Sequence, residues 1–351
     1  MLQFLTSATF EGPYLHLRVL GAFLTALLIA ALGGRAVIAW LRRRKLGERT
    51  DKTPIEDEGL REEIMKKAGT PTMGGLILLG ALVPAALLWG DTRSAPLWLA
   101  LGCFVALAGL GMADDWLKLT GEAHRDRGLL LRHKLLVQGL LGCVLGAVWL
   151  RMGGARIHVP GLHGWGITVG ILMVPWVALI VATMSNAVNV TDGLDGLAGG
   201  LGLVALLPLG LFALGPWGGA EGARLSGPDV TEVSIFCAAL GGAMLGFLWH
   251  NAHPARVFMG DTGSLALGGS LGLVAVMVRA ELWLPLIAFA FLAEFASSVL
   301  QVLWFKATGR RILPIAPLHH IWQRRGTPEA RLVARFWIVG LALALIPLLL
   351  R

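Results

Sequence analysis

The sequence predicts an all-α integral membrane protein of about ten transmembrane helices, and three observations carry that prediction. The 351 residues are 56% hydrophobic and only 15% charged, where soluble domains run near a quarter charged. Mean hydropathy is +0.70. Apolar stretches near the roughly 20 residues that a span needs recur along the whole chain, without the alternating pattern of a membrane β-barrel strand. Helices also satisfy their own backbone hydrogen bonds in lipid, and the 47 glycines suit close helix packing there.

The spans are read near 17–41, 72–90, 96–113, 132–151, 167–184, 197–215, 232–249, 263–279, 282–304 and 333–350. The first is closed by "RRRK" at 42–45, the reverse of a signal peptide's charge order, so it is a true span with a stop-transfer flank. The second opens on "TPTMGG", the third closes on Asp114 and Asp115, and the fourth lies between basic residues at both ends. Segment 153–166 alternates apolar and polar residues among glycines and reads as a small hairpin on the outer face. The fifth and sixth spans nearly touch across "SNAVNVTDGLDGLAGG" at 185–200. The seventh and eighth flank "WHNAHPARVFMGDTGSLALGG", the ninth carries Glu294, and a loop with His319 and His320 precedes the tenth.

Lys and Arg set the orientation. Of the 30, 22 fall at 42–71, 114–134, 250–262 and 305–335, and seven fall in the opposite-side segments. The basic side is the cytoplasm, so both termini face outward. The chain is a single polytopic domain, 1–351, with cytoplasmic loops at about 42–71, 114–131, 185–196, 250–262 and 305–332. None of these is long enough to fold alone. The formal charge of +8 is mostly this topology signal and suits anionic lipid or substrate. Loop 42–71 mixes acids with its bases and is no RNA-binding patch, so nucleic acid is not an expected partner. Cys103, Cys143 and Cys237 fall inside apolar stretches without metal or disulfide spacing.

Nearly every unusual polar cluster falls on the cytoplasmic side. Asp114 and Asp115 end span three; Asn186, Asn189, Asp192 and Asp195 lie between spans five and six; His250, Asn251, His253 and Asp261 lie between seven and eight; His319 and His320 precede span ten. Each has an ordinary reading: interfacial charge, a "DG" turn, or a helix cap in which Asp261 or Thr262 accepts backbone amides. Their convergence on one leaflet does not. Five aspartates at headgroup depth repel one another and are costly to desolvate unless paired. Carboxylate and amide oxygens suit Mg²⁺, with Mn²⁺ as the alternative; zinc spacing is absent. "MGDTGS" opens a helix with its N-terminus toward this face, a phosphate-friendly position. Lys67, Lys118, Arg125, Arg127 and Lys134 add phosphate donors. Together these point to phosphoryl transfer, and the missing Walker pattern excludes a P-loop ATPase.

"KKAGTPTMGG", "ADDWLKL", "NAVNVTDGLDGLAGG", "FMGDTGSLALGG" and "APLHH" resemble, in order over about residues 66–326, the motifs of the phospho-N-acetylmuramoyl-pentapeptide transferase family. That family lies within the polyprenyl-phosphate N-acetylhexosamine-1-phosphate transferase superfamily. The resemblance implies a Mg²⁺-dependent enzyme of peptidoglycan synthesis in the bacterial cytoplasmic membrane, with its active site facing the cytoplasm. UDP-MurNAc-pentapeptide would give its phospho-sugar to undecaprenyl phosphate, forming lipid I and releasing UMP. The resemblance leaves a homodimer open. Asp114 resembles the family's base, with Asp115 beside it, and Asp261 the direct metal ligand; Asp192 and Asp115 complete the expected metal set. Asn189 and Asp192 would shape the metal and diphosphate site, and Asn186 would bind nucleotide or substrate. Gly193, Leu194 and Asp195 would line the uracil pocket, with Phe258 stacked on the base. Lys67, Thr72, Lys118, Lys134, Asn251, His319 and His320 would contact nucleotide or phosphates. The family's third consecutive histidine is here Ile321, and "WQRRG" after it also differs.

Two other classes compete. A sister transferase using UDP-GlcNAc or another UDP-HexNAc would share the metal site. A secondary transporter would place its acids near the bilayer midplane, whereas here they sit at span ends. Glu294 is the membrane carboxylate that stands apart and a functional candidate; hydrogen bonding to Ser297 or Ser298 one turn on is its structural alternative, and Glu294→Gln is expected from sequence to keep most activity.

Overall fold

The computed structural model describes residues 14–44, 47, 65, 67–120, 128–161, 166–215 and 230–350. Most of loop 42–71, and Arg125 and Arg127, therefore lie outside the described residues.

Each apolar segment read from the sequence holds a helix, but the fifth, read from 167, begins in a strand and its α-helix starts only at Met173, and the ninth, read from 282, starts its long helix at Phe289. The long helices are α1 (Leu15–Arg43), α2 (Gly75–Trp89), α3 (Ala95–Thr120), α4 (Leu131–Arg151), α5 (Met173–Thr191), α6 (Leu197–Ala213), α7 (Thr231–Asn251) and α8 (Gly260–Met277). The one-turn α9 (Leu284–Ile287) leads into α10 (Phe289–Thr308), then the short α11 (His319–Arg324) and α12 (Glu329–Leu350). Among the described residues, seven helices are long and apolar enough to cross a membrane: Leu15–Arg43, Ala95–Leu119, Leu131–Arg151, Gly170–Thr191, Thr231–Asn251, Phe289–Thr308 and Glu329–Leu350. Helices α2 and α6 are apolar but shorter. At 1.5 Å per residue α2 is about 22 Å long, less than the roughly 30 Å hydrocarbon core. The polar opening turn of α8, Gly260–Ser264, lowers its hydropathy.

Helix α8 is the axis of the bundle. Every residue from Asp261 to Met277 is buried, as expected of a helix enclosed on all sides. It packs mainly on α3 and α5, and also on α2 and α6. Glycines make this approach close: a side chain at Gly111 of α3 would collide with the backbone carbonyl of Asp261. Helix α1 packs on α7 and α2, α4 on α5, and α12 on α6. The outward faces are apolar. Leu17, Leu20, Leu24, Leu28 and Leu32 make an exposed stripe along α1, and Leu136, Leu140 and Val144 another on α4. Patches of this size on a soluble protein would be anomalous; facing lipid they are ordinary.

The two ends of the bundle differ. At one, Arg18 binds Glu232 at 2.6 Å and donates to the carbonyl of Trp89 at 2.8 Å, tying α1, α7 and α2 together. The predicted hairpin lies at this end. Strand β1 (Arg156–His158) pairs antiparallel with β2 (Gly166–Thr168), Ile157 opposite Ile167. The other end gathers the carboxylates. The loops expected there are shorter than the sequence reading placed them, because helices run past their apolar cores. Helix α3 continues to Thr120 and α5 to Thr191, so Ser185–Thr191 are helical and only residues 192–196 connect α5 to α6.

Candidate active site

Three segments lock the site's floor. The "TPTMGG" stretch runs beside "FMGD": the amide of Phe258 donates to the Pro71 carbonyl, Gly74 to Phe258, and Gly75 to Met259, at 2.8–2.9 Å. Gly260 has φ +70°, and a Cβ there would lie 2.6 Å from an Asp115 oxygen and 2.8 Å from Thr72 Oγ1. Only glycine fits that close, left-handed turn, so Thr72 and Asp115 both abut the first residue of α8.

Asp115, reaching over from α3, accepts the Asp261 amide at 3.1 Å and the Thr262 amide and hydroxyl at 3.0 and 2.7 Å. It thus caps α8 from another helix; the sequence had offered Asp261 or Thr262 as the cap. Asp261 is left to face Asp114, and oxygens of Asp114, Asp115 and Asp261 lie within 4.8 Å of one another. Two lysines bind this acid group. Lys134 lies 2.6 Å from both Asp114 and Asp261; Lys118 lies 2.6 Å from Asp114 and 3.2 Å from Asp261. Asp114 is fully buried, and its other oxygen accepts the Leu129 amide at 2.6 Å. Asn189 of α5 donates to Asp261 and Ser264, both at 2.9 Å. The donor set is all oxygen, anionic and compact, which fits a small hard divalent cation. Asp192, half-buried as the C-cap of α5, lies outside this acid group.

A second cluster borders a cleft of about 340 Å³. Lys67 binds Asp195 at 2.8 Å and Glu329 at 2.6 Å, with its ammonium 6.0 Å from the centre of the Phe258 ring. Burial opposes the charge on Lys67, but Glu329 and Asp195 outweigh it and hold its pKa above the ordinary value. His253 reaches Asp195 at 3.1 Å, and the Asp195 amide donates to Glu329 at 2.6 Å. Asn251 braces the turn: its side chain accepts the Gly196 amide and donates to the Val257 carbonyl. Glu329 was not among the site residues expected from sequence; His253 was, through the polar cluster between spans seven and eight. The sequence reading left Glu329 in the loop at 305–332, outside every motif.

The remaining expected residues fall elsewhere. Asn186 turns to α4, donating to Gln138 at 2.7 Å in a buried network with Ser185. Leu194 is buried in the core, and Gly193 faces the His319 ring. His250, of the same sequence cluster, contacts the Ala31 carbonyl of α1. His320 pairs with Gln323 at 2.7 Å beside the His319 ring, its pKa lowered by burial and by His319. Ile321 is half-buried on the same short helix.

The fold and these two clusters define a class: a polytopic membrane protein with carboxylates and lysines gathered at its helix ends, equipped to handle phosphate. Residues 97–279 match glycosyl transferase family 4, and residues 67–79 match the phospho-N-acetylmuramoyl-pentapeptide-transferase signature 1. The chain is 41% identical to a phospho-N-acetylmuramoyl-pentapeptide-transferase of Granulibacter bethesdensis, over 95% of this chain and 92% of that protein. To those of Ruegeria pomeroyi and Solidesulfovibrio magneticus it is 40% and 41% identical, over 99% and 95% of this chain and 98% and 93% of theirs. The chain belongs to the phospho-N-acetylmuramoyl-pentapeptide-transferase family.

Proposed function

We propose that this chain transfers phospho-MurNAc-pentapeptide from UDP-MurNAc-pentapeptide to undecaprenyl phosphate, giving lipid I and UMP, at the inner face of the bacterial cytoplasmic membrane. The observation that carries this is likeness to phospho-N-acetylmuramoyl-pentapeptide-transferases over nearly the whole chain. Ten crossings with both termini outside are supported by ten apolar helices whose site-bearing ends alternate, and by the Lys and Arg bias toward that end.

An oxygen of the acceptor phosphate attacks the sugar-linked phosphorus of the donor, and the bond to UMP breaks. Asp261, with Asp114 and Asp115 beside it, would hold Mg²⁺, which when bound neutralises charge on the diphosphate. Lys118 and Lys134 lie where they can bind the phosphates once these displace part of the acid pairing. Asp114 is already engaged by two ammonium groups and an amide, an arrangement that suits aiming the lysines better than taking a proton from substrate. Asp115 holds the opening turn of α8, and thereby Asp261, in place.

Phe258, Lys67, Asp195 and Glu329 would receive the uracil: an aromatic face, a cation for a carbonyl, and carboxylates for the N–H. Glu329→Ala removes one of the two carboxylates that hold Lys67 and leaves the Asp195 amide without its acceptor. It is expected to raise KM for the UDP donor about tenfold with kcat within about twofold, the pattern of lost ground-state binding. Steady-state UMP release over donor concentration checks this; an unchanged KM would remove Glu329 from the nucleotide site.

The function itself is tested by UMP release from purified protein in detergent, with undecaprenyl phosphate, Mg²⁺ and either UDP-MurNAc-pentapeptide or UDP-GlcNAc. Release with the muramoyl donor alone is expected. Release with UDP-GlcNAc alone would move the chain to the sister reaction, and release with neither would reopen the transporter reading.

A further inference from the structure

Glu294 is fully buried in α10 and belongs to neither cluster above. A carboxylate in an apolar helix is costly unless its oxygens are satisfied. Both turn to one residue. The His319 amide lies 3.1 Å from Oε1 and 3.3 Å from Oε2, and the His319 ring Nδ1 is 3.2 Å from Oε2. Ser297 and Ser298 do not take the carboxylate, contrary to the structural alternative read from sequence; their hydroxyls donate to the Glu294 backbone carbonyl.

A carboxylate only accepts, so it places a proton on Nδ1. That leaves Nε2, which is buried and has no hydrogen-bond partner among the described residues. The ring as a whole is 1% exposed. Nε2 points at the turn between the two clusters: a Cβ built on Gly193 would meet it at 2.7 Å. A buried polar atom left without a partner calls for one, and Gly193 sits in the turn that joins α5, whose Asn189 binds Asp261, to Asp195 of the second cluster. Ile321, the family departure, makes no part of this contact.

We propose that Glu294 is the positioning residue for His319, fixing its ring and its Nδ1 proton so that Nε2 is presented at the Gly193 turn to the phosphate-bearing part of the donor. Glu294 touches no substrate and acts through His319, as outer partners of ligating histidines do. The proposal rests on the function proposed above.

The test is a double-mutant cycle on UMP release with Glu294→Gln, His319→Ala and both. Glutamine loses the charge and turns one acceptor oxygen into an NH2 donor, so it no longer selects the Nδ1–H form of His319. The expected result is a kcat about 10-fold lower or worse for Glu294→Gln, with KM within about threefold. In the His319→Ala background the same change has less than about a twofold effect. Multiplying losses, or full activity of Glu294→Gln, would overturn the proposal. A second readout needs no turnover. In protein labelled with ¹⁵N-histidine, the His319 signal is identified by its loss in His319→Ala. It should be the Nδ1–H form in the wild type, lose that form in Glu294→Gln, and shift at Nε2 when UDP is added. A signal blind to Glu294→Gln or to UDP also overturns it. Wild-type protein that releases no UMP, yet shows both ¹⁵N effects, would sink the proposed function and leave the dyad standing.

Discussion

Asp261→Asn is expected to lower UMP release by at least about 10³-fold, the scale for removing a preorganised charge from a phosphate-transfer site. The variant should remain folded. Asp261 is buried, but neighbouring groups meet its side chain on both oxygens, Lys118 and Lys134 on one and Asn189 on the other. An asparagine keeps the shape and one accepting oxygen, enough for Asn189 or for a lysine, while losing the charge. Asp115→Asn separates the two carboxylates. Asp115 spends its oxygens on the Asp261 and Thr262 amides and the Thr262 hydroxyl, so its loss should cost stability as well, about 1 kcal/mol as for other helix caps. Turnover and thermal unfolding of both variants in detergent check this. An Asp261→Asn enzyme at wild-type rate would remove Asp261 from the site; an Asp115→Asn enzyme equally inactive but with unchanged melting would give Asp115 a direct role.

Much of this architecture was legible in the sequence because lipid imposes local rules. A span announces itself as an apolar run, and the acids collected at one end because charge is excluded from the middle. What was not legible was direction. Asn186 and Asn189 are three residues apart, and three positions turn a helix about 300°. That difference sends Asn186 to Gln138 on α4 and Asn189 to Asp261 on α8. Glu329 looked like an ordinary loop acid ahead of the last span, yet it meets Asp195, 134 residues earlier. Periodicity cannot pair residues so far apart. Glu294 showed the same gap: its oddity was visible, but the partner one turn away was the natural guess, and the true one came from a short helix beyond the end of its own.

Removing divalent metal is the second large effect expected, and it should separate activity from fold. In the structure Asp114 and Asp261 are met by the ammonium groups of Lys118 and Lys134, each lysine shared between the two acids, while Asp115 accepts the amides and hydroxyl that open α8. Buried carboxylates so paired do not need a metal ion to be tolerated. EDTA should therefore change the melting temperature by less than about 3 °C, the shift that roughly 1 kcal/mol gives in a chain of this size. Turnover should fall about 10³-fold, since the lysines alone cannot match a dication on the diphosphate. Excess Mg²⁺ should restore it, and Mn²⁺, equally hard and oxygen-seeking, should restore part. UMP release and thermal unfolding on the same EDTA-treated sample decide the matter. Full activity in EDTA would mean that the acids serve the lysines and not a metal. A large drop in melting temperature would mean that a metal is part of the fold, and that the lysine contacts fail to neutralise the acid group.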